Sequence, residues 1–109
     1  MTEIRAVYRS SIEHEFIQHL TLFDVPYEEE YMAVKGRRYR WDFYTPPDLL
    51  IELNGGTYQH MGHSTGKGIQ RDYDKHNLAV LHGYRVLMFT SDDVNSGRAI
   101  EVVKQARKL

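Results

Sequence analysis

Cysteine is absent from this chain of 109 residues. Without cysteine no disulfide can staple the fold and no thiolate can bind a metal ion, which fits a reducing cytoplasm. An excess of positive charge is also absent, because 14 lysines and arginines face 15 aspartates and glutamates and the net charge is −1. A globally basic nucleic-acid-binding protein is therefore excluded, and any contact with DNA or RNA must rely on local patches.

Long apolar runs are absent as well. No run approaches the roughly 20 residues that cross a bilayer, and the first residues lack the apolar stretch of a secretory signal peptide. We therefore expect no contact with a membrane. The sequence contains no repeat, no low-complexity tract and no linker, and its length suits one hydrophobic core. We expect residues 1–109 to form a single domain.

Hydrophobic periodicity predicts the first two helices. Ser10 and Glu13 have the spacing of a capping box ahead of a predicted helix over 11–23. A second helix is predicted over 69–82, and Gly83 is well placed to end it. Helical spacing places Ile69, Tyr73, His76 and Val80 on one face of this second helix.

Four strands are predicted around these helices. They cover 27–34, 37–45, 49–53 and 84–90, with a turn at Lys35-Gly36 and a break at Pro46-Pro47. A last helix, capped by Ser91 or Asp92, follows the fourth strand. Three meandering strands and a helical crossover to a fourth imply a central mixed sheet flanked by helices. The predicted fold class is therefore α/β, with the order α-β-β-β-α-β-α.

Two acids stand in this strand pattern where buried residues are expected. On the second strand, Trp41 and Phe43 should point to one face and Asp42 to the other. On the third, Glu52 interrupts an apolar run. If the two prolines close a hairpin, Asp42 lies roughly opposite Ile51 or Glu52, and cross-strand Cβ atoms come within about 5.5 Å.

Two carboxylates on adjacent strands predict a metal site. Hard oxygen ligands suit Mg²⁺ or Mn²⁺, and such an ion promotes hydrolysis of phosphoryl groups. The alternative is that Asp42 and Glu52 are satisfied by Arg40, by Arg85 or by backbone donors, because buried acids are almost always paired or metal-bound.

The order of elements, with an aspartate ahead of E-x-N at positions 52–54, resembles the PD-(D/E)xK nuclease superfamily. The chain is most similar to its small phage and bacterial members and to the very-short-patch mismatch-repair endonucleases. The likeness covers nearly the whole chain. The segments that carry it are Ile12-Glu13-His14-Glu15-Phe16, Asp42-Phe43, Ile51-Glu52-Leu53-Asn54-Gly55-Gly56, Arg71-Asp72 and Leu81-His82-Gly83-Tyr84-Arg85-Val86-Leu87.

The resemblance implies a restriction endonuclease-like fold and a set of metal ligands. It implies that Asp42 and Glu52 bind the metal, that the Leu53 carbonyl supplies a third oxygen, and that Glu13 on the first helix contributes an acid. Glu15 is the second choice on that helix. For both helix residues the alternative is a surface acid near a helix N-terminus, which the helix dipole favours.

The main departure from the family pattern is Asn54, which stands where the motif has lysine. Asparagine can orient a water molecule but supplies no positive charge. In this superfamily the lysine can move to a neighbouring element, and Lys67 and Lys75 are the candidates. The alternative for Lys75 is a solvated surface residue. The departure also leaves open a non-catalytic nucleic-acid-binding module on the same fold.

Two histidines follow the third strand in the sequence H-x-x-H. In the mismatch-repair relatives a histidine in this region assists the active centre, so His63 or His60 is a candidate general acid or base, or a phosphate contact. The alternatives are histidines without a role and a zinc-stabilised interaction domain, although two histidines alone do not make a zinc site.

Basic residues near aromatic ones form a candidate DNA contact. Arginine binds phosphate bidentately and aromatic rings stack on unpaired bases. The alternative is that these charges offset the acidic run Glu28-Glu29-Glu30 across the hairpin. The candidate contact residues are Arg37, Arg38, Arg40, Lys67 and Arg71.

Together these features predict a Mg²⁺- or Mn²⁺-dependent endonuclease that acts on DNA. Near-neutral charge argues against tight non-specific duplex binding, so we expect selectivity for branched or nicked structures, or guidance by a partner. The sequence leaves open DNA against RNA. Small nucleases of this fold often dimerise, so a homodimer is also open, and we expect the protein in the cytoplasm of a bacterium or phage-infected cell.

Overall fold

The computed structural model describes residues 10–54 and 66–109, which form a mixed sheet with helices on both faces. The strands lie in the order β1-β2-β3-β4, with β1–β2 and β2–β3 antiparallel and β3–β4 parallel. The predicted fold class and central mixed sheet are therefore confirmed. The elements are α1 (Ser11–Leu22), β1 (Glu28–Tyr31), β2 (Trp41–Thr45), β3 (Leu49–Asn54), α2 (Gly66–Leu81), β4 (Arg85–Thr90), α3 (Ser91–Asn95) and α4 (Arg98–Arg107).

One apolar cluster lies between the sheet and helices α1, α3 and α4. Phe16 of α1 meets Phe43 of β2 edge to face, with 5.2 Å between the ring centroids. Ile51 of β3, Val94 of α3 and Val103 of α4 complete a core that excludes water from this side. Burial of such side chains stabilises a fold by about 1.5–3 kcal/mol each, so this cluster fixes the distance between α1 and the strands.

The first helix begins at the predicted capping box. The Glu13 N–H donates to Ser10 Oγ at 3.3 Å, and the Ser10 N–H donates back to Glu13 Oε1 at 3.1 Å. Two backbone groups that the first helical turn leaves without partners are thereby satisfied. Gly83 ends the second helix as predicted, with the positive φ of 88° that glycine tolerates.

The face of α2 that carries Ile69, Tyr73, His76 and Val80 is exposed. Ile69, Tyr73 and Val80 are 38%, 63% and 53% exposed, whereas Ala79 is fully buried. The side chains that fill this side of the sheet come mainly from the strands, Trp41 among them. Little volume is left for the helix to fill, so a small residue packs there and the larger apolar residues face outward.

The first two strands are shorter than predicted, because the chain leaves the sheet over residues 32–40. The alternation of side chains also breaks, since Trp41 packs in the α2-side cluster and Phe43 in the opposite cluster. The register places Glu30 opposite Asp42, and Glu30 has φ 50°. This left-handed residue interrupts the regular pleat, so the prediction that Trp41 and Phe43 share a face is wrong.

The last predicted helix is two helices. Gly97, with φ 82°, separates α3 from α4, and Thr90 rather than Ser91 or Asp92 caps α3 by accepting from the Asp93 N–H. Across the part of the chain that the structure describes, no helix is long and apolar enough to cross a bilayer.

Candidate active site

The two acids singled out in the sequence meet where β2 and β3 separate. The backbone pairing of these strands runs from Thr45–Leu49 to Phe43–Ile51. Beyond the Phe43–Ile51 pair, the backbone N–H groups donate to carboxylate oxygens and not to backbone carbonyls. The Asp42 N–H donates to Glu52 Oε1 at 2.9 Å, and the Leu53 N–H donates to Asp42 Oδ2 at 2.8 Å. The hairpin therefore holds both carboxylates side by side at the end of its ladder.

The field at Asp42 disfavours a negative charge. Burial raises the pKa of the Asp42 carboxyl from 3.8 to about 6. The hydrogen bond from Leu53 opposes this rise, while the negative charges of Glu52, Glu13 and Glu30 reinforce it. A carboxylate in this position gains more than an ordinary one from a nearby cation, because desolvation and like charge are both relieved.

Lys75 lies beside Glu52. Its Nζ donates to Glu52 Oε2 at 2.9 Å and to the Arg40 carbonyl oxygen at 2.6 Å. The same nitrogen stands 4.9 Å from the ring centroid of Trp41. The side chains of Lys75 and Glu52 are 20% and 22% exposed, so Lys75 is not the solvated surface residue that the sequence left open.

On the first helix, Glu13 rather than Glu15 contributes to the field at Asp42. Glu13 also serves the capping box, since its Oε1 accepts hydrogen bonds from the N–H and hydroxyl of Ser10. Glu15 lies 3.7 Å from His19, one turn further along α1. The alternative for Glu13, a helix N-terminal acid, thus holds, and the same carboxylate also raises the pKa of Asp42.

The alternative in which arginines neutralise the two acids does not hold. Arg85 makes a bidentate contact with Asp48 at 2.9 Å and donates to the Ala106 carbonyl, so it ties β4 to the β2–β3 turn and to α4. Arg40 contributes its backbone carbonyl to Lys75. The part of the same alternative that named backbone donors holds, because the N–H groups of Asp42 and Leu53 donate to the two carboxylates and Lys75 is the charged partner of Glu52.

The other residues that the sequence suggested for the site either lie apart from Asp42 and Glu52 or fall outside the described residues. Asn54 is exposed at the end of β3, opposite Thr90 of β4. His60 and His63, with the zinc alternative that depends on them, lie outside the described residues. The candidate DNA-contact residues are exposed on the 32–40 connection, namely Arg37, Arg38 and Arg40, and on the N-terminal part of α2, namely Lys67 and Arg71.

The strand register does not place the arginines directly opposite the acidic run Glu28-Glu29-Glu30. The strand pairing places Glu28 opposite Tyr44 and Glu29 opposite Phe43, not opposite the arginines. Arg37 turns instead to Tyr39, donating to its hydroxyl at 3.1 Å with the guanidinium 4.9 Å from the ring centroid. The strand register therefore sets aromatic residues of β2, and not these arginines, opposite Glu28 and Glu29.

The fit of this site to a divalent ion is partial. Within residues 10–54 and 66–109, no three carboxylates or histidines converge closely enough to hold a metal ion by themselves. The donor chemistry nevertheless suits a hard cation, because two oxygen-bearing acids adjoin and burial disfavours the charge on Asp42. An ion here would take two carboxylates and complete its shell with backbone oxygen and water, as Mg²⁺ commonly does.

Two participants were not recognised from sequence. The sequence places Trp41 on one face of the second strand, near the candidate DNA-contact arginines, and nothing in the pattern pairs it with a lysine 34 positions later in the chain. Glu30 was read as one of three acids offsetting arginines, whereas the structure sets it opposite Asp42. The register that follows from a turn centred near Gly36 would have found Glu30.

Comparison with known proteins supports the fold. No protein-family model and no curated protein matches the chain. Among solved structures, the chain is similar to the catalytic domain of the homing endonuclease I-Bth0305I, with a TM-score of 0.64 and 27% sequence identity over 92% of each chain. The four-stranded mixed sheet with flanking helices is thus a nuclease fold, in agreement with the predicted restriction endonuclease-like architecture.

Proposed function

We propose that this protein is a metal-dependent endonuclease that hydrolyses phosphodiester bonds in DNA. The observation that carries the proposal is the meeting of Asp42, Glu52 and Lys75 at the end of the β2–β3 ladder. The nuclease fold shared with a homing endonuclease catalytic domain supports the reaction class and DNA as the substrate. Membership of the PD-(D/E)xK superfamily is part of the proposal.

Asp42 and Glu52 would hold one Mg²⁺ or Mn²⁺ ion, with the Leu53 carbonyl as a third oxygen and Glu13 at the edge of the site. In an extended strand, the N–H and C=O of one residue point to the same side. The Leu53 N–H points at Asp42, so its carbonyl faces the same side. A bound ion supplies a lowered pKa for water and charge stabilisation for the phosphoryl group.

Lys75 takes the place of the lysine that is missing at position 54. An ammonium group has three N–H donors, and two of those on Lys75 engage Glu52 and Arg40. The third is directed to a phosphate oxygen or to the attacking water. Asn54, at the end of β3, is proposed to orient water and phosphate, and one of His60 and His63 is proposed to assist.

In the reaction, a water oxygen attacks phosphorus and the bond from phosphorus to the leaving oxygen breaks. The attacking water loses a proton and the leaving oxygen gains one, so the products are one phosphate end and one hydroxyl end. Lys75 stabilises the negative charge that grows on the phosphoryl oxygens during this step, which is the largest contribution that a fixed cation can make.

Substrate choice follows from charge. The net charge of −1 gives little of the phosphate neutralisation on which tight duplex binding depends. We propose a branched or nicked DNA substrate, or delivery by a partner, with Arg37, Arg38, Arg40, Lys67 and Arg71 contacting the backbone. A homodimer is a further possibility for the active form, and the cytoplasm of a bacterium or phage-infected cell its place of action.

A cleavage assay tests the proposal. Duplex, nicked, flap and junction DNA are incubated with the protein in Mn²⁺ or Mg²⁺, with EDTA as the control. We expect cleavage of at least one structured substrate in metal and none in EDTA. Cleavage that persists in EDTA would exclude metal dependence, and cleavage unaffected by Glu52→Gln would exclude this site.

A second candidate is a non-catalytic nucleic-acid-binding module on the same fold. The observation that favours it is that both oxygens of Glu52 are already engaged, Oε1 by the Asp42 N–H and Oε2 by Lys75. Salt-sensitive DNA binding that needs no metal, together with no cleavage of branched or single-stranded DNA, is the outcome that would identify this function.

A further inference from the structure

The lysine at the site is held by more than its carboxylate partner. The Lys75 ammonium contacts Glu52 Oε2 on one side, the Arg40 carbonyl on another, and the face of the Trp41 indole at 4.9 Å. Trp41 is 1% exposed and packs in the α2-side cluster. Its ring is therefore fixed by the core, whereas a lysine side chain has four flexible bonds of its own.

The helix that carries Lys75 is shaped for this contact. Ala79, one turn after Lys75 on the same helical face, is fully buried. A small residue there lets α2 approach the sheet closely. A long apolar stem can then cover the aromatic ring while its charged end reaches the carboxylate. Lys75 therefore lies on the side of α2 that faces the sheet, and its ammonium stands over the Trp41 ring.

We infer that Trp41, together with the Arg40 carbonyl, positions the Lys75 ammonium at Glu52 and so takes over the placement that a lysine at position 54 would have had from its own strand. Trp41 is a positioning residue, because it acts through Lys75 and does not touch the substrate. The inference rests on the proposed function, since it assigns a role within the same site.

The physical reason is the need for a fixed cation. Indole is the best aromatic partner for an ammonium group, and the attraction grows when the pair is shielded from water. A lysine at position 54 would be oriented by the backbone of β3 itself. A lysine that reaches the site from α2 needs contacts along its side chain to fix its direction. A displacement of about 1 Å at a reacting centre can lower a rate by about 100-fold, so a buried ring that fixes the ammonium affects the rate through Lys75.

The chain offers a matched control. Lys104 Nζ lies 4.1 Å from the ring centroid of Phe23 and 3.2 Å from Glu101 Oε2, at a partly exposed surface outside the site. Phe23→Leu removes a lysine–aromatic contact of the same kind without touching the site. Trp41→Phe and Trp41→Leu form the test pair, with Trp41→Phe keeping an aromatic face and much of the core volume.

The experiment combines cleavage kinetics with NMR of the lysine side chains. The Lys75 ε-methylene signal, assigned by its loss in Lys75→Met, should be shifted upfield by the indole ring current and should return to the position of an exposed lysine in Trp41→Leu. We expect kcat per folded molecule to fall about 10- to 100-fold in Trp41→Leu, with KM within about twofold. The kcat of Trp41→Phe should lie between those of the wild type and Trp41→Leu, and Phe23→Leu should leave kcat unchanged.

Several results would overturn the inference. An unshifted Lys75 signal in the wild-type protein would show that the contact is absent in solution. An unchanged kcat in a folded Trp41→Leu or Trp41→Phe variant would show that the ring only fills the core. If Trp41→Leu does not fold, Trp41→Phe decides the question. If the wild-type protein cleaves no DNA, the proposed function fails, and the NMR signal alone decides whether Trp41 positions the ammonium.

Discussion

Two lysines of this protein have the same kinds of partner and different surroundings. The site cluster, Glu52, Lys75 and Trp41, has a carboxylate at 2.9 Å and an indole at 4.9 Å. The surface cluster, Glu101, Lys104 and Phe23, has a carboxylate at 3.2 Å and a phenyl ring at 4.1 Å.

Burial separates the two clusters. The lysine and glutamate of the site cluster are 20% and 22% exposed, against 35% and 56% in the surface cluster. Exposed ion pairs contribute only about 0–1 kcal/mol to the free energy of unfolding. The lysine of the site cluster is also the one that lies beside two acids on adjacent strands. Contact type alone therefore does not distinguish the two lysines, whereas burial and neighbouring charge do.

We expect the largest difference in cleavage rate between the Glu52→Gln and Glu101→Gln variants. Glutamine at position 52 keeps an oxygen for the Asp42 N–H but removes the negative charge that would hold the ion. We expect cleavage to fall by at least about 100-fold and the Glu101→Gln rate to stay within about twofold of wild type. The rates are measured in a single-turnover assay. Equal cleavage rates for the two variants would show that the site cluster matters no more for cleavage than the surface cluster.

The next contrast is between Lys75→Met and Lys104→Met. Methionine keeps an apolar stem but lacks the ammonium, so the developing phosphoryl charge loses a fixed cation. Loss of one such group costs about 100-fold in kcat, and we expect this for Lys75→Met alone. The rate is measured at saturating substrate. A Lys104→Met variant that is equally impaired would mean that the effect comes from overall charge and not from the site.

The smallest expected effect is the pH dependence of the free energy of unfolding that Asp42 confers. Burial raises the pKa of Asp42 from 3.8 to about 6 in the folded state, so the fold favours the protonated form. This contribution to stability is fully present below about pH 3.8 and is lost as the pH rises through about 6. Asp42→Asn, which stays neutral, should therefore match the wild type near pH 4 and exceed it above pH 7.

We expect that difference to reach about 1–2 kcal/mol, less than the full pKa shift implies, because Asp42 is only partly buried and solvent screens its charge. Urea unfolding at pH 4 and pH 8 measures it. Glu101→Gln is the control and should show no such pH dependence. A stability difference that does not change between the two pH values would contradict the assigned environment of Asp42.

Local signals in the sequence were enough for part of this structure. The capping box at Ser10 and Glu13 and the stop at Gly83 depend on neighbouring residues only, and both are confirmed. The pairing of Asp42 with Glu52 follows from the short turn between β2 and β3, which limits the register to one or two choices. These features could be predicted because the interacting groups are close in sequence.

Other features depend on distant residues. Periodicity groups the apolar residues of α2 on one face but does not show which space the strands already fill, and Ala79 takes the inner place. Trp41 and Phe43 pack on different sides of the sheet, against the alternation expected along one strand. The burial of Lys75 also depends on a distant residue, since its ammonium lies 4.9 Å from the ring centroid of Trp41.

The most direct test of the central claim is a Mn²⁺ soak of crystals of the wild-type protein and of Glu52→Gln. Manganese is located by its anomalous scattering. We predict a single strong peak between the carboxylates of Asp42 and Glu52 in the wild-type protein and a lost or much weakened peak in the variant. Wild-type crystals with no anomalous density between these two side chains, at millimolar Mn²⁺, would contradict a metal-dependent site at the β2–β3 ladder.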